Sequence, residues 1–427
     1  MSDKVKHVSA SSIAAFKACP QRYRLGYVEG IRQAVEAQPL RFGTAWHKGL
    51  EILEFPVGTQ YITEDNAPGG CIVTNENRLD LAIQAATEAY ETVPDGVDPT
   101  DWAVEREILA NALAAYHWLY GTASEYETVA TELQFDLPLV NPETGHPTPN
   151  FRRVGKIDRI IRHKGSGRLL IQENKTTSRP IDSGSTYWDR LRKDTQSKFY
   201  ITAARDLDAS GTVLVQGQEV PMRLSADGQV VSGLLHDVFH KPAIKPKKLT
   251  QAESTEFVKT GEYCGQTFNV DGSKGPCCYE VDGVCADVEQ GAEPKPKKDG
   301  TCAPRPFAIR ETPGMFGARL LEDMTTTDDK HNGPAYYFAR REIAFTDAEL
   351  ADFQYQVWAL QKTMAEMERT GHWYENEGMC EATGTFKCSY CPLCYNNVAC
   401  CDGVTVPPGF RRLHAETVEQ TPTEVQE

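Results

Sequence analysis

The chain has 427 residues and carries 45 Lys and Arg against 60 Asp and Glu, a formal net charge of −15. That length holds one large domain or two to three ordinary ones, and an apolar share of 40% is enough to bury a core, which excludes wholesale disorder. No window approaches the eighteen consecutive apolar residues of a membrane span, and the opening MSDKVKHVSASS lacks the apolar stretch of a secretory signal, so a cytoplasmic protein without membrane contact is expected. The 13 cysteines are odd in number and clustered, which in such a compartment favours metal ligation over a disulfide framework.

The acidity argues against a nonspecific nucleic-acid coat, yet the charge is uneven. Residues 1–50 hold 8 basic and 3 acidic side chains, and residues 151–200 hold 13 and 5. Two basic blocks in an acidic chain make an anion-binding groove if they meet in space, and two solvated faces if they do not.

In chain order, Ser11 and Ser12 read as N-cap candidates for a helix with Ile13 and Phe16, punctuated by Cys19-Pro20. FGTAWHKGLEILE reads as a second helix, and residues 78–93 and 101–120 as two more, a helical insertion spanning about 75–125. Residues 128–140 alternate as a strand, and GKIDRIIRHKGSGRLLIQENKTT reads as two strands around a turn. A type II′ turn centred on Gly165-Ser166 sets Asp158 directly across from Glu173, with Lys175 on the same face.

Residues 236–340, rich in Gly, Pro and Lys, read as a loop-rich lobe, and residues 1–235 as the main core. The lobe's Cys264, Cys277, Cys278, Cys285 and Cys302 follow no recognisable metal spacing and serve either as a second zinc site or as free thiols. Thr346 and Glu349 form a capping box ahead of the stripe Leu350, Phe353, Val357, Leu360, Met364 and Met367. Residues 341–402 thus comprise a helix and a cysteine-dense segment, and 403–427 an acidic tail expected to be disordered.

Two opposed carboxylates repel unless a cation compensates them. A hard divalent ion does so through oxygen ligands, with Lys175 orienting a nucleophile, whereas the plain alternative is a surface hairpin with a Glu/Lys bridge. Gln196 and Tyr200 lie four apart and share one helix face, where they can reach a phosphate, steady Lys175 or pack on the sheet.

The order GKID, ENKTT, QSKFY resembles the PD-(D/E)XK nuclease superfamily, in its RecB/AddB-like exonuclease branch. FGTAWH and SASSIAAFKACPQRYRLGYV resemble that branch's upstream His motif and opening helix. The resemblance implies an α/β fold, a restriction-endonuclease-like core with a central mixed sheet flanked by helices and carrying helical and loop-rich insertions. It implies catalytic roles for Asp158, Glu173, Lys175, Gln196 and Tyr200, with Mg²⁺ or Mn²⁺ held by His47, Asp158 and Glu173.

Relatives with an iron–sulfur clasp hold their cluster by one N-terminal and three C-terminal cysteines. By resemblance to phage-type members these are Cys19, Cys380, Cys388 and Cys394, while the spacing of AddB-like members offers Cys391, Cys394 and Cys400. Four thiolates suit a [4Fe-4S] cluster or tetrahedral Zn²⁺.

The resemblance implies a DNA exonuclease of recombination, repair or replication, acting on ends or single strands in the cytoplasm, a host's if the chain is phage-encoded. No GxxxxGK[ST] motif occurs, so a helicase or recombinase activity would come from a partner chain. The alternatives are an inactive nuclease-like iron–sulfur subunit that binds DNA, and a zinc-binding adaptor.

Overall fold

The structure is a computed structural model. It describes the chain except residues 1–4, 35–36, 63–69, 95, 122–123, 211, 216–217, 222–229, 274–277, 293–304, 327–332, 381–387, 399 and 414–427, and no side chain of 210–229.

The chain enters through a short strand, β1 (Lys6–Val8), and α1 (Ala10–Ala18). The N-cap of α1 is Ser9 rather than Ser11 or Ser12; Ser12 closes a capping box by accepting the Ser9 N–H, so it is the third helical residue. Next come α2 (Gln38–Glu54), α3 (Arg78–Thr87) and α4 (Pro99–Tyr120), then three long strands, β2 (Tyr126–Val140), β3 (Pro147–His163) and β4 (Leu169–Thr177). After α5 (Thr186–Arg192) and α6 (Thr195–Ser210) follow β5 (Thr212–Val215), β6 (Gln218–Pro221) and β7 (Gly233–His240). α7 (Gln251–Thr260) and α8 (Pro313–Thr325) flank the lobe, and β8 (Phe338–Ala344) and α9 (Asp347–Thr370) return to the core.

The main sheet is eight-stranded and mixed, in the order β8-β7-β4-β3-β2-β5-β6, with β1 parallel beside β3. β4 and β7 are parallel, and both are buried along their whole length. One apolar layer joins the sheet to α1, α5, α6 and α9; a second joins α2, α3, α4 and α8, with Phe239 of β7 stacked on Trp46 of α2 at 4.8 Å. This is the expected α/β architecture of a central mixed sheet flanked by helices.

The boundary expected at 235/236 falls inside β7. GLLHDVFH does not alternate, because it is covered on both faces, and such a strand is not marked by period two. The lobe therefore begins after His240 and ends before β8. It contains a four-stranded antiparallel sheet (Val270–Asp271, Cys278–Val281, Val284–Gln290, Phe307–Ile309) with a core of Phe257, Val281, Ile309 and Met315. α8 belongs to both cores, giving Met315 and Ala318 to the lobe and Phe316, Leu320 and Met324 to the helical layer. Cys278 and Cys285 are joined by a disulfide across two lobe strands, Cys264 is free, and Cys277 and Cys302 lie outside the described residues. Of the expected tail, residues 403–413 are described: Phe410–Arg412 pairs with Ile31–Gln33, and residues 414–427 lie outside the described residues. Among the described residues no helix is long and apolar enough to cross a membrane.

The glycine of GKID has a packing reason. A Cβ on Gly155 would stand 2.6 Å from the Phe135 ring and 3.3 Å from the Tyr200 ring, both of which lie on the strand at this point. Gly155→Ala should therefore overpack this layer and cost about 1–3 kcal/mol. Thermal unfolding reads this directly, and an unchanged midpoint would show that the two rings yield freely.

Candidate active site

The β3–β4 register is the predicted one, with Arg159 opposite Gln172 and Ile160 opposite Ile171, although the turn differs. The closing hydrogen bond is His163 N–H to Arg168 O at 2.9 Å, the loop is four residues long, and the left-handed position is Gly167 (φ 70°) rather than Gly165.

Ladder pairing stops at Arg159 and Gln172, one step before Asp158 would oppose Glu173. Ile157 and Ile160 belong to the same apolar layer although a regular strand would put them on opposite faces, so the alternation breaks between them. Asp158 and Arg159 both turn to α2: Asp158 Oδ2 lies 3.2 Å from His47 Nδ1, and Arg159 Nη1 lies 2.8 Å from Glu54 Oε1. β2 breaks in step, with Glu132, between partners Thr131 and Leu133, in a left-handed conformation (φ 51°) rare for a side chain in a strand. The Asn174 N–H donates to Asp158 Oδ2 at 3.3 Å, tying the turned-out carboxylate back to β4.

Glu173 and Lys175 meet the start of α6, with the Lys175 ammonium still within electrostatic reach of Asp158. Lys175 Nζ lies 3.1 Å from Glu173 Oε1 and donates to Gln196 Oε1, so the strand and the helix start meet on this ammonium. Glu173 is fully buried and Lys175 only 6% exposed. The plain reading of a surface Glu/Lys bridge is thereby overturned, since a surface bridge needs a solvated strand and β4 is the centre of the sheet. Tyr200, one turn after Gln196, packs edge-on against Phe135 at 6.1 Å. Although burial opposes the charge of Asp158, His47, then Lys175 and the Asn174 N–H, hold its carboxyl below the usual range.

Two groups that the sequence did not single out complete the surroundings. His236 of β7 is the register partner of Glu173, is fully buried and lies 3.3 Å from Ser197 Oγ of α6. Burial, with Lys175 nearby, pushes its imidazole down to about 3. On the α2 side, Gln172, Glu54, Arg159, Asp237, Arg340 and Tyr116 form one buried polar network. Tyr116 donates to Asp237 Oδ2 at 2.7 Å, Arg340 Nε to the same atom at 2.8 Å, and Gln172 Nε2 to Glu54 Oε1 at 2.8 Å. Period-two and helical patterns cannot find such partners, which are joined only by strand pairing and by helices packed on the sheet.

Where the chain ends meet, Cys19, Cys380, Cys388, Cys391 and Cys394 line one cavity with Arg22, Glu375, Asn376 and Tyr390. The Asn376 N–H donates to Cys19 Sγ at 3.4 Å, its side-chain amide to Ala18 O at 2.8 Å, and the Tyr390 hydroxyl to Ile31 O at 2.8 Å. Cys400 is buried in the same small core but is not part of the lining. Burial raises Cys380 to about 11 and Cys394 to about 12, so these are neutral thiols until a cation claims them. Among the described residues, no three His, Cys, Asp or Glu side chains are already gathered as a metal shell.

Two outcomes follow. Arg340→Leu strips the cation from buried Asp237 and should destabilise the chain by about 3–5 kcal/mol, read from urea unfolding. The unfolded chain protonates His236 near its ordinary value while the folded chain does not, so stability is full above pH 6.5 and is lost as pH falls toward 3. By pH 5 that loss is about 2 kcal/mol. His236→Gln should flatten this dependence, and an equal loss in the variant would exclude His236 as its source.

No curated protein matches this chain. A family model for the PD-(D/E)XK nuclease superfamily matches residues 7–395, which takes in all of the main sheet but its first residue, the lobe and the cavity cysteines, and the chain therefore belongs to that superfamily.

Proposed function

We propose that this metal-dependent nuclease is an exonuclease that hydrolyses DNA phosphodiesters from ends, in recombination, repair or replication. The observation that carries the reading is the Lys175 ammonium, buried on β4 between Glu173 and Gln196 and within electrostatic reach of Asp158. Burying an ammonium and two carboxylates costs several kcal/mol per ion unless they are well paired, an expense that a merely structural strand avoids with apolar residues.

His47, Asp158 and Glu173 would hold Mg²⁺ or Mn²⁺, and their carboxylate and imidazole donors fit a hard divalent ion. When bound, such an ion supplies Lewis-acid polarisation of the phosphate and lowers the pKa of a water. Lys175 orients the attacking water and stabilises charge developing on the phosphate. Gln196 fixes that ammonium, and the Ser197 contact with His236 fixes the start of α6 and hence Gln196. Tyr200 sets the pitch of α6 on the sheet through Phe135 and Gly155. Exposed cations beside the start of α6, such as Arg192 and Lys193, would neutralise the DNA backbone.

The cavity thiols suit a [4Fe-4S] cluster or Zn²⁺, and the cluster is the choice here because one N-terminal and three C-terminal cysteines is the arrangement of the cluster-bearing nucleases that this chain resembles. Cys19, Cys380, Cys388 and Cys394 are the proposed ligands, and Cys391 is the alternative the cavity also offers. The cluster's role is to lock the two chain ends. ATP-driven unwinding, if the reaction needs it, belongs to a partner chain.

End-labelled single- and double-stranded DNA should be degraded by anaerobically purified protein with Mg²⁺ or Mn²⁺ but not with EDTA. Lys175→Ala should lose at least about a hundredfold in rate with its fold intact. A brown, folded wild type without cleavage would make the chain a DNA-binding subunit instead. Cys19→Ser should lose iron and soluble yield, and a folded, iron-replete variant would remove Cys19 from the ligand set.

A further inference from the structure

α2 ends on a residue that its own helix disfavours. Glu54 is the last residue of α2, and a carboxylate there opposes the partial negative charge of a helix C-terminus. The adjacent carbonyl, of Leu53, is served by a cation as expected, Arg78 Nη1 at 2.9 Å. The partners of Glu54 lie instead on the sheet. Arg159 Nη1 of β3 stands 2.8 Å from Glu54 Oε1, and Gln172 Nε2 of β4 donates to the same oxygen at 2.8 Å. Arg159 is held in turn by Thr128 Oγ1 of β2 at 3.0 Å and by Gln172 Oε1 at 3.2 Å. The end of α2 is thus fastened to three adjacent strands through two side chains that are themselves buried.

Glu54 follows His47 by seven residues, about two helical turns, so both side chains leave the same face of α2. Their partners, Asp158 and Arg159, are consecutive on β3. One helix is therefore tied at two points to one short stretch of strand, which fixes both its rotation and its position along its axis. The remaining contacts of α2 do not fix these: Phe42, Trp46, Leu50 and Leu53 pack in an apolar layer, and apolar contact is not directional. The His47 contact with Asp158 does not suffice alone, because both groups are given over to an ion once one is bound.

We infer that Glu54 is a positioning residue of the active site: its tether to Arg159 and Gln172 holds α2 where His47 and Asp158 can close on one divalent ion, and so sets the affinity for that ion. The inference rests on the proposed ion at His47, Asp158 and Glu173. Burial raises the Glu54 carboxyl and Arg159 opposes the rise, and Oε1 can accept both hydrogen bonds whether or not the other oxygen carries a proton. A buried ion pair can be replaced by apolar residues of similar volume with little loss of stability, but the replacement supplies no direction. Stability and ion affinity are therefore expected to separate when the tether is made apolar.

The test measures Mn²⁺ affinity by the electron paramagnetic resonance signal of the free ion, beside the thermal midpoint, on full-length anaerobically purified protein without DNA. The double variant Glu54→Leu with Arg159→Leu should fold with a midpoint near that of the wild type and bind Mn²⁺ at least about tenfold more weakly, the loss typical of a group that orients a ligand. Glu54→Gln, which keeps the accepting oxygen, should restore wild-type affinity. Glu54→Met, in which Arg159 keeps Thr128 and Gln172, should show the same loss as the double variant and carries the test if that variant does not fold. Wild-type affinity in either folded variant would overturn the inference. So would a Glu54→Gln as weak as the double variant, since position would then not be the cause. Each of these leaves the His47, Asp158 and Glu173 site standing, whereas a wild type that binds no Mn²⁺ would overturn that site and the inference with it.

Discussion

Strand β4 sets the terms for the rest of the molecule. It is buried on both faces between β3 and β7, yet its centre reads Gln172, Glu173, Asn174, Lys175. Polar groups in that position are costly unless each finds a partner, so every neighbouring element is recruited to supply one. On one face α6 brings Gln196 to Lys175; on the other α2, α4, β7 and β8 bring Glu54, Tyr116, Asp237 and Arg340 around Gln172. The chemistry proposed for the site and the stability of the sheet are therefore one problem, since the same strand carries both.

The second constraint is the step at which β2 and β3 change face together. It preserves the register on both sides while turning Asp158 and Arg159 to the same helix. A regular strand would have sent one of them away from α2, and His47 would then have had no carboxylate to meet. Glu132 bears the conformational strain of the step, which is the usual accompaniment of a functional constraint in a strand.

The third element is the joining of the chain ends. Ile31–Gln33 pairs with Phe410–Arg412, Arg412 donates to Cys400 O at 2.8 Å, and Asn376 bridges to Ala18 and Cys19. α1, which begins next to β1 and therefore next to β3, is thus tied to the segment that ends the chain. The lobe is fixed differently, through α8, whose two faces belong to two cores. Loosening either attachment acts on the sheet through a helix rather than through the active-site residues.

What the sequence by itself determined is the local order. The presence of the first four helices, though not their ends, the hairpin register, the capping box at Thr346, and the family were legible because periodicity, turn residues and motif spacing are short-range properties. The placing of Lys175 against Glu173 was legible for the same reason, being set by a spacing of two on one strand. Only the tertiary structure decided that the ladder stops before Asp158 and that this carboxylate meets His47, that β7 belongs to the sheet, and that His236, Glu132, Lys156 and Glu51 gather near the motif residues. These depend on strands and helices distant in sequence being pressed together. A charge on a strand carries no mark of which distant side chain will balance it until packing has removed the water that would otherwise do so.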